Sequence, residues 1–417
     1  MGFHLSEFIP EFVHCCYRLN PEHLYTVIKE PAREVEGVHR EVVQAVRAML
    51  PTMGLTGPVV VFLMSLVPFP LCFMLNAQPW TRDPGVILAL GVGVLAAILL
   101  VSYIAVRRET KPDPILYVMS LFMFSSMVDL IIALESDGIL GEFMTFYLKE
   151  GEPYLWTPYG TMINYWDGVV HYGLCLWILY CVAHRRNYRT AGLYWAGSII
   201  NSLLVLVPGS VLGTFGVKPA ILLNLPYLFV PLWIAFRLLR QQRPDGGFEP
   251  TSKLTSIWQR PVDAIFVLYF LGAVGVDLFR GFIALGCKEP LMDEYLWDHE
   301  PNILNPLAYS KVQMLVYMFY FVPYYAAAAY SLLYPGTLAW LSDWALLVAG
   351  AAAQGQFSHI GGSLHPRTPP EFLVPTRPHS RQVFWLLNLA LLLVPQAFAC
   401  WTNMATAKRK RNLGKNK

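Results

Sequence analysis

Residues 84–106 read PGVILALGVGVLAAILLVSYIAV, an apolar run without a charged side chain. A helix of this length crosses the ~30 Å hydrocarbon core of a bilayer. Backbone polar groups find no water there, so a run of this kind must satisfy them within a helix. Nine further segments follow the pattern: 57–76, 114–134, 160–183, 190–215, 219–239, 262–285, 309–334, 338–363 and 382–402. The expected fold class is an all-α polytopic membrane protein of about ten transmembrane helices. Several segments are interrupted by Pro or a polar residue, which membrane helices tolerate where a neighbour satisfies the freed backbone.

Composition agrees. The 417 residues are 55% hydrophobic and 14% charged, against roughly 25% charged in soluble proteins. That excludes an ordinary soluble enzyme and a nucleic-acid binder. The charges cluster at span ends. Arg107, Arg108 and Lys111 follow the second span, and Arg185, Arg186 and Arg189 the fourth. Arg240, Arg243, Lys253 and Arg260 follow the sixth, and Lys408 to Arg411 the tenth. With both termini cytosolic, all four clusters obey the positive-inside rule. The opposite loops carry Glu135, Asp137, Glu142, Glu150 and Glu152, then Glu289, Asp293, Glu294, Asp298 and Glu300. Arg367, Arg377 and Arg381, before the last span, run against the rule.

The seven cysteines form no disulfide framework and no C-x-x-C pair, so neither a metal site nor a cofactor is expected. Residues 1–50 are too polar for a secretory signal peptide. Met1-Gly2-Phe3-His4-Leu5-Ser6 fits a loose myristoylation pattern beside Cys15-Cys16; an ordinary tail is the competing reading. Val35, Val38, Val42, Val46, Met49 and Leu50 recur at helical spacing within 34–50. This predicts an amphipathic helix lying on the membrane surface or against the bundle.

The chain also repeats itself. Val128-Asp129-Leu130 returns as Val276-Asp277-Leu278, and Glu152-Pro153 as Glu300-Pro301, both at an offset of 148. Each copy holds four spans of the same orientation, a parallel repeat with an extra pair of spans in front. The domain reading is a 1–56 cytosolic extension, a 57–106 transmembrane pair and a first repeat over 107–243. A linker over 244–261, a second repeat over 262–402 and a basic tail over 403–417 complete it.

Ionisable groups at membrane depth cost about 2.5–3.5 kcal/mol or more, and so mark candidate sites. Asp129 and Asp277 occupy equivalent places, either facing a cavity or paired locally, Asp277 with Arg280 three residues on. Asp167 and His171 share one helical face and suit acid/base work. Trp166 and Tyr165, with Asn164 beside them, offer a π face. The alternative for this group is helix-to-helix hydrogen bonding. In the second copy Leu315 falls opposite Asp167, with Gln313 and Lys311 nearby. Polarity moves there to Gln354, Gln356, Ser358, His359 and Asn388, next to small residues that favour close packing.

Several motifs in one order carry a resemblance. Glu150-Gly151-Glu152-Pro153-Tyr154-Leu155, Tyr165-Trp166-Asp167-Gly168, Lys311-Val312-Gln313-Met314-Leu315 and Gln356-Phe357-Ser358-His359 resemble the transmembrane 6 superfamily over about 57–402. The resemblance implies two copies of the EXPERA module, the four-helix unit of emopamil-binding sterol isomerases and the sigma-2 receptor. It implies a sterol or other lipid ligand, the membrane itself and membrane-protein partners in lipid secretion, and no nucleic acid. It also implies residence in the endoplasmic reticulum membrane or the ER–Golgi intermediate compartment, with the lysosomal membrane as the alternative.

The expected function is regulation of lipid metabolism, through triglyceride-rich lipoprotein secretion and lipid-droplet content. A sterol Δ8–Δ7 isomerase in the first copy and a non-catalytic scaffold are the alternatives. Carried over by position, the isomerase His falls on Asp129, its first Glu on Ala133 and its second on Asp167. Its fourth-helix Asn falls near Val230 or Pro231. In the second copy Asp277, Gly281 and Leu315 stand at the first three places, and Asn388 keeps the Asn. Catalysis would rest on Asp129, Asp167 and His171, and ligand binding on Asn164, Tyr165, Trp166, Asp277, Gln313, His359 and Asn388.

Overall fold

A computed structural model describes residues 56–107, 112–241, 256–334 and 340–413, with side chains up to residue 404. The amphipathic helix expected over 34–50, the N-terminal lipidation pattern, most of the 244–261 linker and the end of the basic tail lie outside these residues.

Among the described residues, nine helices are long and apolar enough to cross a membrane. They are Gly57–Asn76, Pro84–Val106, Ile115–Ser136, Pro158–Ala183, Arg189–Leu212, Pro219–Arg240, Pro261–Ala284, Tyr309–Leu333 and Pro378–Met404. A further helix, Leu341–Leu364, has the length but less apolarity, because its inward face carries Gln354, Gln356, Ser358 and His359. It is enclosed by the other helices, where a polar face is tolerated. Counted in chain order these are spans one to ten, and Leu341–Leu364 is span nine.

Local chemistry sets the span boundaries. Asp83 caps span two by accepting from the Gly85 and Val86 amides at 2.8 and 3.0 Å, with Pro84 at the first helical position. Thr157 and Pro158 do the same for span four. Span one breaks between Met64 and Pro68. There the Ser65 hydroxyl donates to the Phe62 carbonyl and meets the Tyr172 hydroxyl at 2.9 Å. Spans four and eight each carry one wide π-helical turn, at Trp166–His171 and Tyr317–Phe321.

Spans three to six and seven to ten form two four-helix sets, joined through spans five and nine. A Cβ on Gly197 would run into the Leu347 carbonyl, and one on Gly350 into the Tyr194 carbonyl. The two contacts are reciprocal, each partner lying 153 residues from its counterpart (350 − 197, 347 − 194). Asn201 and Gln354, separated by the same interval (354 − 201), bond directly at 2.6 Å. Tyr159 and Tyr309, at the entries of spans four and eight, stack with centroids 5.4 Å apart. An approximate two-fold axis thus runs between spans five and nine. At one end of the bundle Arg189 clamps Asp343 with two bonds of 2.5 and 2.9 Å, tying span five to span nine.

The loop that offends the positive-inside rule is explained by its partners. Arg367 bonds Asp137 at 3.1 Å, Thr161 at 2.7 Å and the Trp156 carbonyl, and Arg377 pairs with Asp298 at 3.1 Å. The cations are therefore held by the acidic loops of that face. At the opposite end Arg107, Arg186, Arg237 and Arg240 lie over the rings of Tyr103, Tyr180, Trp233 and Phe236, as side chains anchored at a membrane interface do.

His365 also meets Asp137, at 3.2 Å. Burial holds its imidazole below the ordinary value of 6.5, with Arg367 adding to the effect and Asp137 opposing it. Below that value the unfolded chain binds more protons than the folded one. The loop's contribution is complete above the ordinary value and falls as the pH drops through it. Thermal melts should show lower stability at about pH 5.5 than at about pH 7.5, with a smaller gap in His365→Gln. An unchanged gap would show that His365 is not the group responsible.

Candidate functional site

The first set and the N-terminal pair enclose a cavity. Its interior is about 160 Å³, and about 840 Å³ with the open mouth included. Spans one and two supply apolar wall, including Leu71, Leu75, Ile87, Leu90 and Val94. Polar groups come from elsewhere: Asp129 and Ser125 from span three, Tyr147 and Glu152 from the following loop, Asn224 and Tyr227 from span six. An apolar pocket with a few convergent polar groups is the usual form of a small-molecule site. An interior of this size takes a ring-sized group, and a longer ligand would extend through the mouth.

Glu152 is the best-held of these groups. A π turn over Tyr147–Gly151 leads into it and a 3₁₀ turn over Pro153–Trp156 leads out. The Tyr147 hydroxyl donates to its Oε2 at 2.6 Å, and Asn224 Nδ2 donates to its Oε1 at 2.6 Å. The Tyr154 hydroxyl donates to Oε1 as well. Burial pushes the Glu152 carboxyl above its ordinary range, against the pull of those three hydrogen bonds. Asp129 lies within electrostatic reach of Asp167 first and of Glu152 next. Among the described residues no hydrogen bond or ion pair engages Asp129, and no Lys or Arg lines the cavity.

The second set holds the same constellation, closed. Tyr295 donates to Glu300 Oε2 at 2.9 Å, and Asn388 Nδ2 donates to its Oε1 at 2.9 Å. Arg280 adds a donor 2.6 Å from Oε1, and His359 Nε2 lies 3.3 Å from the same oxygen. Burial alone would raise the Glu300 carboxyl; Arg280, then His359 and Asn388, outweigh it and hold the group well below the ordinary range. Asp277, Arg280, Glu300, His359 and Asn388 are all fully buried. Arg280 is thus bonded to Glu300, not to Asp277 as its i+3 spacing suggests.

The sequence-selected residues therefore part company. Asp129 lines the cavity. Asp277, His359 and Asn388 belong to the closed cluster. Gln313 accepts from Tyr159 and Asn201, both at 3.2 Å, and joins the two sets. Tyr165 donates to Asp137 at 3.0 Å, and Asn164 is buried with its Nδ2 unpaired.

Asp167, His171 and Trp166 lie apart from the cavity lining. His171 Nδ1 sits 2.6 Å from Asp167, outside hydrogen-bonding angles, and its Nε2 sits 2.7 Å from the Ser198 hydroxyl. Trp166 Nε1 also donates to Ser198, at 2.9 Å. Two positional assignments change as well. The first-set counterpart of Asn388 is Asn224, not Val230 or Pro231. Matching the two π turns by their first residues sets Met318, not Leu315, against Asp167.

Glu152, Tyr147 and Asn224 were not selected from the sequence as site residues. The signal was present: Tyr147 and Tyr295 share the 148-residue offset of the two Glu-Pro pairs. For Asp167→Asn we expect a lower melting temperature, a loss of about 1–3 kcal/mol, with ligand binding at the cavity unchanged. Loss of binding without loss of stability would move the site to this face.

The fold and site define a polytopic helical membrane protein with an interior, carboxylate-bearing cavity. The model of the transmembrane domain described as Transmembrane 6 superfamily member 2-like matches residues 67–247. Transmembrane 6 superfamily member 2 of Mus musculus is 40% identical over 345 residues, covering 81% of this chain and 90% of the relative. The Homo sapiens protein of that name is 39% identical over 342 residues, with the same coverage. The chain belongs to the transmembrane 6 superfamily. No solved structure matches it.

Proposed function

We propose that this protein binds a sterol or other lipid in the cavity of its first four-helix set and uses that binding to regulate lipid metabolism. The observation that carries the reading is a largely apolar cavity lining that includes Asp129 and Glu152. Binding of this type is fixed in orientation by a few polar groups and driven by apolar burial. The two sets are read as EXPERA repeats, over 107–243 and 262–402. The family resemblance supports the endoplasmic reticulum membrane as the location, and lipid secretion and lipid-droplet content as the processes served.

Purified protein should bind a tritiated sterol saturably, and Leu90→Trp, which fills the cavity, should weaken that binding at least tenfold. Equal binding by the two proteins would remove the cavity from the account.

A second reading has its own observation. Two carboxylates share one cavity, and burial favours the protonated form of Glu152. A proton donor and a proton acceptor flanking a double bond is what a sterol isomerase needs. In that reading one of the two carboxyls supplies the proton and the other takes one up. Conversion of a Δ8 to a Δ7 sterol, lost in Glu152→Gln, would establish it; no turnover by the wild-type protein would leave the binding function alone.

A further inference from the structure

One polar cluster belongs neither to the cavity lining nor to the closed site. Asp167 and His171 of span four meet Ser198 of span five, and the wide turn over Trp166–His171 gathers the span-four groups. In a regular α-helix Trp166 and His171, five residues apart, point in different directions. A π-helical turn closes by i→i+5 bonds and brings them onto one side; such turns recur at functional sites. His171 Nδ1 lies 2.6 Å from Asp167 Oδ1, and its Nε2 lies 2.7 Å from the Ser198 hydroxyl. Trp166 Nε1 is 2.9 Å from that hydroxyl and 3.1 Å from His171 Nε2. At this separation a proton on Nδ1 keeps a ring lone pair from facing the carboxylate. Nε2 then accepts, the Ser198 hydroxyl donates to it, and the Ser198 oxygen receives the indole N–H.

Packing does not require the cluster. Matched by their wide turns, Asp167 and His171 fall on Met318 and Val322 of the second set (318 − 167 and 322 − 171, both 151). Matched by the glycines at the crossing of spans five and nine, Ser198 falls on Ala351 (351 − 198, like 350 − 197, is 153). The same helices pack there without a carboxylate, an imidazole or a serine hydroxyl. Ser198 and His171 are fully buried. Asp167 keeps 15% of its side chain exposed, and Val169 in the same turn is 59% exposed. The wide turn thus lies at the outer surface of the bundle, where membrane lipid reaches it.

We propose that Ser198, His171 and Asp167 form a nucleophilic triad that cleaves a carboxylic ester of a membrane lipid. A serine hydroxyl is a weak nucleophile until an adjacent base takes its proton and a third group orients that base. Ser198 Oγ attacks the ester carbonyl carbon while its proton passes to His171 Nε2. The tetrahedral adduct collapses, the bond to the alcohol oxygen breaks, and His171 returns the proton to the departing alkoxide. Water, deprotonated by the same nitrogen, then releases the fatty acid and restores Ser198. Asp167 orients the imidazole and stabilises the imidazolium. Trp166 Nε1 and the Ser202 hydroxyl, buried without a partner one turn along span five, are the donors available to the developing oxyanion. The ester enters past the wide turn of span four. This activity stands or falls independently of ligand binding at the cavity.

The test treats the full-length protein, in detergent and in phosphatidylcholine liposomes, with a hexadecyl fluorophosphonate. Its phosphorus takes the serine oxygen as fluoride leaves, so an activated serine is marked by mass. Peptide mapping should find the adduct on Ser198 and none in Ser198→Ala, a change to the residue that the second set carries as Ala351. Labelling should slow at least about a hundredfold in His171→Gln, the scale of losing a general base, and at least tenfold in Asp167→Asn. The wild-type protein should also release nitrophenolate from p-nitrophenyl decanoate, and Ser198→Ala should not, with its sterol binding retained. The wild-type adduct map decides even where a variant fails to fold. No adduct in either medium, an adduct on another residue, or equal labelling of His171→Gln would overturn the triad. A labelled Ser198 without ester cleavage would overturn the hydrolytic step.

Discussion

Gly197→Val should not yield a folded protein. The backbone of span five passes so close to that of span nine at this point that even a Cβ would collide with the Leu347 carbonyl oxygen. Ordinary overpacking costs about 1–3 kcal/mol because side chains can shift. Here the obstacle is backbone, and the reciprocal contact of Gly350 with the Tyr194 carbonyl pins the same pair of helices from the other side. Separating them would also pull apart Asn201 and Gln354 and the clamp of Arg189 on Asp343. The expected loss exceeds about 3 kcal/mol, a large part of the marginal stability of a domain. Monodispersity and thermal melting in detergent measure it. Gly272→Ala is the control, since nothing lies within 4 Å of a Cβ there, and it should fold normally. A well-folded Gly197→Val protein would contradict the packing described.

Arg280→Ala is expected to cost about 3–5 kcal/mol, the range for removing one partner of a buried ion pair. Glu300 would be left fully buried with its charge uncompensated. Because Arg280 holds the Glu300 carboxyl well below the ordinary range, the contribution of the pair in the wild type is complete above that range. It is lost only as the pH falls toward the depressed folded value. In the variant burial raises the Glu300 carboxyl, so the folded chain takes up the proton more readily than the unfolded one and the loss should shrink as the pH falls toward the ordinary carboxylate range. Replacing both partners, Arg280→Met with Glu300→Gln, should recover most of the loss, since no unpaired charge remains. Chemical denaturation of the three proteins against pH distinguishes these outcomes, and a double variant no better than the single one would show that the pair does more than neutralise itself.

Much of the fold was legible because the bilayer constrains it so tightly. A helix that must bury its whole backbone announces itself by length and apolarity, and the ten expected spans appeared within a few residues of their expected starts, although the last helix runs on to Leu413 and the helix Pro290–His299 was not expected. Span nine shows the weaker side of the same rule: enclosed by protein, it carries polar residues a lipid-facing helix could not. The close approach of Gly197 and Gly350 could not be read, since small residues suit close packing without naming their partner.

The site was less legible. Its polar groups come from span three, the loop after it and span six, and its wall from the N-terminal pair. No local pattern predicts how that pair packs. Asp167 and His171 drew the eye because they are four residues apart, which is a local signal. Asn224 stayed hidden because the constant offset breaks down beyond the loops: the two asparagines are 164 residues apart (388 − 224), while the two Glu-Pro pairs are 148 apart.

The central claim is that a lipid occupies the cavity of the first set against Glu152 and Asp129. Photo-crosslinking with a diazirine sterol, followed by peptide mapping, addresses it most directly. Labels should fall on wall residues such as Leu90, Val94, Ile132 and Leu223, should be displaced by unlabelled sterol, and should fall away in Glu152→Gln and Leu90→Trp. Displaceable labelling concentrated instead around Trp166 and His171, or on the outer faces of the helices, and indifferent to both substitutions, would contradict it.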